Sequence, residues 1–192
     1  MAYIYLAPIG LSDLSCLELL DETIAGVFQV ETKVCELPIH LMSTYDTSRN
    51  QYNSSLLLLQ VINSAPSDAF RILGITEVDL FIPILTFVFG EAQLNGTGAV
   101  VSLHRLNSRF YGLPENEEML KERLVKEAVH ELGHTFGLRH CLRPGCVMNS
   151  STYVEGVDQK SAELCFPCQQ SISAKKNNKP AFIERIRRGI GL

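Results

Sequence analysis

The stretch that decides the fold runs His130-Glu131-Leu132-Gly133-His134-Thr135-Phe136-Gly137-Leu138-Arg139-His140. Residues four apart lie on one face of a helix, so His130 and His134 are spaced to be two ligands of one zinc ion. Glu131 lies about 100° round the helix, where it can reach a metal-bound water as a general base. Gly137 permits the left-handed turn that brings His140 back toward the same metal. Three histidines leave one position open for water, which is typical of a catalytic zinc.

Two other interpretations of this stretch are a chance match and a structural zinc site. Gly137 and His140 extend the five-residue motif at the spacing of a longer metallopeptidase motif, which argues against chance. A structural zinc is usually closed by a fourth protein ligand, which argues against the second interpretation.

Four of the six cysteines follow this stretch closely, as Cys141, Cys146, Cys165 and Cys168. Two short-range pairs separated by a loop are what a tetrahedral four-cysteine zinc site needs. Because His140 and Cys141 are neighbours whose side chains diverge, we expect them to serve two different metals. Two disulfides are the alternative, and they are disfavoured if the protein resides in a reducing cytoplasm.

Met148 lies between the two cysteine pairs, where a methionine in a tight turn is expected beneath the metal site. The run from His130 to Cys168 resembles the archaemetzincins, a branch of the metzincin metallopeptidases, and residues 87–92 and 99–103 resemble the sheet of that family.

This resemblance implies a mixed α+β or α/β, metzincin-like fold. Its parts are a twisted mixed β-sheet, an active-site helix, two packing helices and a small zinc-stabilised C-terminal subdomain. It also implies a role for each motif position: His130, His134 and His140 on a catalytic zinc, Glu131 as the base, Met148 as the Met-turn, and Cys141, Cys146, Cys165 and Cys168 on a second, structural zinc.

Composition limits the function classes. The 192 residues are 46% hydrophobic and 20% charged, which predicts one globular domain. The longest apolar run, residues 80–89, is too short to cross a bilayer and contains Pro83. A net charge of -4 argues against general nucleic-acid binding, although the chain from residue 171 onward carries six Lys or Arg and one Glu. No basic, apolar signal sequence precedes the first strand, so we expect a cytoplasmic location.

Hydrophobic periodicity predicts alternating strands and helices with a largely parallel sheet. We expect strands at 2–6, 28–36, 70–75 and 78–80, an antiparallel hairpin of 86–94 with 99–105, and helices from about residue 13, at 53–63, 114–138 and 181–190. Residues 1–140 then form a subdomain that carries the active-site helix, and residues 141–192 form the C-terminal subdomain of the same catalytic domain.

The sequence therefore predicts a monomeric, two-zinc metallopeptidase that binds an extended peptide along the open strand edge at residues 87–94. A zinc-stabilised peptide- or protein-binding protein without proteolytic activity is the alternative. No membrane or nucleic-acid partner is expected.

Overall fold

The computed structural model describes residues 3–177, with side chains through residue 173. In chain order the elements are β1 (Tyr3–Ile9), α1 (Cys16–Phe28), β2 (Thr32–Val34), β3 (Tyr45–Asp46), β4 (Gln51–Asn53), α2 (Ser54–Asn63), β5 (Ala69–Thr76), β6 (Leu80–Phe81), β7 (Gly90–Ala92), β8 (Gly98–Ser102), α3 (Glu117–Thr135), α4 (Val154–Asp158) and α5 (Phe166–Asn177), with 3-10 turns at Leu41–Thr44 and Ser108–Tyr111. The predicted helix at 181–190 and the basic side chains from Lys175 onward lie outside the described residues.

A mixed, twisted sheet of five strands organises the fold, in the order β2-β1-β5-β8-β7. The first four strands are parallel, and β7 is antiparallel to β8 with Gly90 opposite Val101. Within residues 3–177, β7 pairs with no other strand of this sheet, so it is an edge. A second, small sheet has the order β3-β4-β6.

Helices pack on both faces of the large sheet. Successive strand residues point to opposite faces, so each strand contributes side chains to a core on either side. On β1, Ile4 and Leu6 join the core under α1 and α3, whereas Tyr5 and Ala7 join the core under α2. The site helix α3 is therefore packed against the sheet and beside α1.

The predicted antiparallel hairpin is confirmed, but its strands are shorter than expected. Only Gly90–Ala92 of the predicted strand at 86–94 is in β7. The Arg49 guanidinium donates hydrogen bonds to the carbonyls of Leu85 and Thr86 at 2.8 and 3.1 Å, so a side chain takes two acceptors that a strand partner would have used.

The predicted strand at 28–36 is wrong at its start. Phe28 is the last residue of α1, and β2 covers only Thr32–Val34. Leu20, Ile24 and Phe28 are four residues apart and fully buried, so Phe28 continues the helical apolar row rather than starting an alternating one. Gln29 then ends the helix with a left-handed φ of 49°.

Two other predicted elements change their bounds. The strand region at 70–80 divides, because β5 spans Ala69–Thr76 and Leu80–Phe81 joins the small sheet as β6. The predicted helix at 114–138 is shorter at both ends. It begins at Glu117 because the Asn116 side chain accepts a hydrogen bond from the backbone N–H of Met119, and the chain leaves the helix after Thr135.

The C-terminal segment contains little regular structure between α3 and α5. Its apolar side chains nevertheless join the core that α1 and α3 share, through Val147, Val154, Val157, Leu164 and Ile172. The subdomain boundary at residue 140 stays a prediction. None of the helices in residues 3–177 is long and apolar enough to cross a membrane.

Candidate metal centre

The end of α3 brings the three histidines together. The Leu138 N–H donates to the Gly133 carbonyl at 3.0 Å, the Gly137 N–H donates to the His134 carbonyl at 2.8 Å, and Gly137 has a φ of 79°. This is the hydrogen-bond pattern of a Schellman cap, which reverses the chain after a helix. The predicted turn at Gly137 is thus confirmed, and it places His140 beside the helix.

The histidine rings face one another in a compact cluster. The ring centres of His130 and His134 are 4.7 Å apart, and that of His140 lies 5.3 and 5.0 Å from them. One nitrogen of each ring lies within 4.8 Å of the others. The structure therefore brings together all three residues that the sequence predicts as one ligand set.

Backbone carbonyls fix which nitrogen of the two helical histidines faces the centre. Nδ1 of His130 lies 2.8 Å from the carbonyl oxygen of Val147, and Nδ1 of His134 lies 2.8 Å from that of Leu138. A carbonyl only accepts, so both Nδ1 atoms carry the proton and both Nε2 atoms present lone pairs. The two Nε2 atoms are 3.1 Å apart, and a cation bound by both lone pairs would stabilise this arrangement.

The spacing of these nitrogens suits zinc. Two nitrogen ligands on a tetrahedral zinc, with bonds of about 2.0–2.1 Å, lie about 3.3 Å apart. The residues present therefore fit a zinc ion by both distance and donor chemistry.

Burial shifts the pKa values of the charged groups around this centre. Burial, followed by the nearby Lys160 ammonium, lowers the pKa of His130 well below its ordinary value, and burial lowers the pKa of His134. Both rings are neutral at neutral pH, as metal ligands must be. Burial, followed by the Glu127 carboxylate, raises the pKa of Glu131 well above its ordinary value, which brings it closer to the range of a general base.

The edge strand lies directly against Glu131. A Cβ added to Gly90 would be 2.6 Å from Cγ of Glu131 and 2.5 Å from the Val100 carbonyl oxygen. The Asn95 N–H, in the turn after β7, donates to the His134 carbonyl at 2.9 Å. The glycine thus permits a close approach of strand to helix, and this role was not predicted, although glycine within a strand is a signal for such an approach.

Met148 lies against the same helix. It is fully buried, and a Cβ added to Gly133 would overlap its sulfur. The methionine sulfur therefore packs against Gly133 of α3, the residue before His134, and its role as the Met-turn stays a prediction.

The four cysteines form a second cluster, with every sulfur within 4.8 Å of the others. The sulfurs of Cys141 and Cys165 are 3.8 Å apart, and those of Cys146 and Cys168 are 3.9 Å apart. A disulfide is about 2.05 Å long, whereas two sulfur ligands of a tetrahedral zinc lie about 3.8 Å apart. The disulfide alternative is therefore wrong, and the spacing fits a metal.

Two further charged residues near the centre were not predicted, namely Glu127 and Lys160. They form an ion pair of 2.7 Å, and their side chains are 4% and 2% exposed. Glu127 interrupts the apolar face of α3 one turn before His130, which is a signal that could have revealed it. Lys160 lies in an aperiodic segment where the sequence gives no such signal.

A comparison with protein-family models matches residues 21–174 to peptidase family M54. The chain belongs to this family. It is accordingly a zinc metallopeptidase, as the two candidate metal clusters lead one to expect. The resemblance to the archaemetzincins is likewise confirmed by individual relatives.

Three relatives illustrate the match. The archaemetzincin of Methanocaldococcus jannaschii is 43% identical over 147 residues, which cover 77% of this chain and 78% of that protein. The crystal structure of archaemetzincin from Methanopyrus kandleri superposes with a TM-score of 0.80 at 34% identity and covers 92% of this chain and 96% of that one. A zinc-dependent peptidase from Methanocorpusculum labreanum gives a TM-score of 0.79 at 29% identity, with coverage of 88% and 99%. The predicted fold class is thereby confirmed.

Proposed function

We propose that this M54 peptidase hydrolyses peptide bonds at a zinc ion held by His130, His134 and His140, with Glu131 as the catalytic base. The observation that carries the proposal is the pair of Nε2 atoms 3.1 Å apart, both unprotonated because their Nδ1 atoms donate to carbonyls. A zinc ion held there would acidify a bound water and polarise the carbonyl of the substrate.

Glu131 moves the proton in this proposal. It takes a proton from the attacking water and passes it to the leaving amine nitrogen, while the water oxygen bonds to the carbonyl carbon and the C–N bond breaks. Burial against β7 raises the pKa of this carboxyl group above the ordinary value of a glutamate, which favours its acting as a base and then as an acid. No other proton acceptor is required for the reaction to balance.

The substrate would lie along β7. An extended peptide can add its backbone hydrogen bonds to the outer edge of this strand. Because Gly90 touches the Glu131 side chain, a peptide paired with β7 has its backbone beside the catalytic base. Within the predicted edge at residues 87–94, the Val88 N–H already donates to the Leu80 carbonyl at 2.9 Å. We therefore propose Gly90–Ala92 as the part that binds the peptide.

We further propose that Cys141, Cys146, Cys165 and Cys168 hold a second, structural zinc. Cys141 follows His140 directly and its N–H donates to the Met148 carbonyl at 2.9 Å. A zinc held there would tie the third histidine and the Met-turn to α5, which gives two zinc ions per chain. The monomeric state and cytoplasmic location stay predictions.

Zinc content and turnover of a mixed peptide library together test this proposal. We expect two zinc ions per chain in the wild type, and one ion with no turnover in His134→Ala. His40→Ala, which removes an exposed histidine outside the cluster, is the matched control. One zinc ion in the wild type and one in His134→Ala, with no turnover by either protein, would favour a zinc-stabilised binding protein instead.

Replacing Glu131 with Gln tests the base separately. We expect turnover to be lost with both zinc ions retained, because glutamine keeps the size of the side chain but cannot accept the proton. Glu122→Gln, an exposed carboxylate on the same helix, is the control. Substantial turnover by Glu131→Gln would contradict the assigned role.

A further inference from the structure

Lys160 is a buried lysine whose ammonium group lies between α3 and the turn that carries Met148. Besides Glu127, its Nζ donates a hydrogen bond to the carbonyl oxygen of Asn149 at 3.2 Å. It also lies 3.5 Å from Nδ1 of His130, but this nitrogen donates to Val147 and so accepts no hydrogen bond from the ammonium group. Removing an ammonium group from water is costly, and an apolar side chain would fill the same space at lower cost. A lysine at this position therefore suggests a requirement for the contacts that the ammonium group makes.

These contacts hold the Met-turn from both sides. The carbonyl of Val147 accepts a hydrogen bond from Nδ1 of His130, and the carbonyl of Asn149 accepts one from Lys160. Because Glu127 is one turn before His130 on α3, Lys160 links the turn to the helix that carries the histidine. The orientation of the His130 ring thus depends on a carbonyl whose position Lys160 helps to fix.

A second ion pair holds the segment that contains Asp158 and Lys160 against α3, farther along the helix from the histidine metal centre. Asp158 binds Arg123 with two contacts of 2.7 Å. Arg123 and Glu127 are four residues apart on α3, and their charges have opposite signs, as do those of Asp158 and Lys160. The alternation favours a single register of this segment on the helix. Of the two pairs, only the one with Lys160 reaches a histidine of the metal centre, so the other provides a matched control.

We propose that Lys160 is a positioning residue for the histidine metal centre, which holds the Met-turn and the His130 ring in the geometry that binds zinc. This inference rests on the proposed function, because it takes the three histidines to be zinc ligands. Partners that orient a metal ligand typically contribute 10- to 100-fold to metal affinity. We expect Lys160→Met to lower the zinc affinity of the histidine site by about that factor.

Competition with a chelator, on the full chain, measures this affinity. The His134→Ala variant identifies which zinc belongs to the histidine site, and the cysteine-bound zinc is an internal reference. Lys160→Met leaves Glu127 as an unpaired buried carboxylate, so the double variant Glu127→Met with Lys160→Met is measured alongside it. The double variant contains no unpaired charge and carries the test even if the single variant does not fold.

The proposal expects both Lys160 variants to lose affinity at the histidine site alone. Asp158→Asn, which weakens the neighbouring ion pair, should lower the melting temperature and leave zinc affinity unchanged. Wild-type affinity in the double variant would show that only the unpaired charge mattered, and would overturn the proposal. An equal loss in Asp158→Asn would overturn it also, because general loosening would then explain the effect.

A different result would contradict the proposed function itself. If the wild-type chain binds zinc no more tightly than His134→Ala, the histidines hold no zinc, and both proposals fall. If the wild type binds tightly and the Lys160 variants do the same, only the positioning role falls.

Discussion

Gly90→Ala should lower turnover about 100-fold without loss of zinc. The added Cβ would be 2.6 Å from Cγ of Glu131 and 2.5 Å from the Val100 carbonyl oxygen. Ordinary contacts between carbon atoms begin near 3.5 Å, so strand β7 and helix α3 must separate by about 1 Å. A displacement of about 1 Å at a catalytic group can cost about 100-fold in rate, which is about 2.7 kcal/mol at the transition state.

The assay compares kcat on a peptide library with zinc per chain. The expected loss is in kcat, because a substrate paired with β7 moves away from Glu131 while the three histidines keep their positions relative to one another. Gly26→Ala is the matched control, since nothing lies within 4 Å of a Cβ added there on α1. Alanine inside a helix is favoured over glycine by about 1 kcal/mol, so this control should be fully active and slightly more stable. Wild-type turnover in Gly90→Ala would refute the close approach, and loss of zinc would show that the histidines had moved too.

Three further predictions concern stability. Gly133→Ala should lower the melting temperature because its Cβ overlaps the Met148 sulfur. Adding Met148→Ala should restore part of this loss, and a double variant that melts at a still lower temperature would contradict the overlap. The Arg123 guanidinium lowers the pKa of Asp158, so this pair stabilises the fold above the ordinary pKa of an aspartate and ceases to do so as the pH falls through the lowered value. Denaturant titrations from pH 7 to pH 2 should therefore show that the free energy of unfolding falls less steeply in Asp158→Asn than in the wild type. Parallel curves for the two proteins would refute the linkage. Cys165→Ser should lose one zinc ion and melt at a lower temperature, and an unchanged melting temperature with both zinc ions bound would disprove the structural site.

The candidate site was predictable because its main residues are related by local spacing. His130 and His134 meet because a helix repeats every 3.6 residues, and His140 joins them because Gly137 takes a left-handed conformation. The cysteine pairs likewise carry their own spacing, although Cys141 and Cys165 are brought together only by the fold. The hairpin of β7 with β8 was also visible, as a short turn between two apolar runs.

The misplaced elements show where local spacing was ambiguous. Phe28 fits an alternating strand with the residues after it, and equally a helical row with Leu20 and Ile24 before it. Packing decided between them, because the Phe28 ring stacks on Phe136 with centres 4.7 Å apart. In the same way, Arg49 replaced a strand partner at residues 85 and 86 from a distant part of the chain.

The sequence by itself determined the metal chemistry, the ligand residues we propose and the fold class, since these follow from residue types at short, regular separations. Only the tertiary structure decided that Gly90 touches Glu131 and that Lys160 lies against Glu127 and His130. These contacts join residues 30 to 41 positions apart, and no periodicity of the chain encodes them. They arise when the sheet edge and the C-terminal segment pack on the two sides of α3, and packing depends on the shapes of both partners.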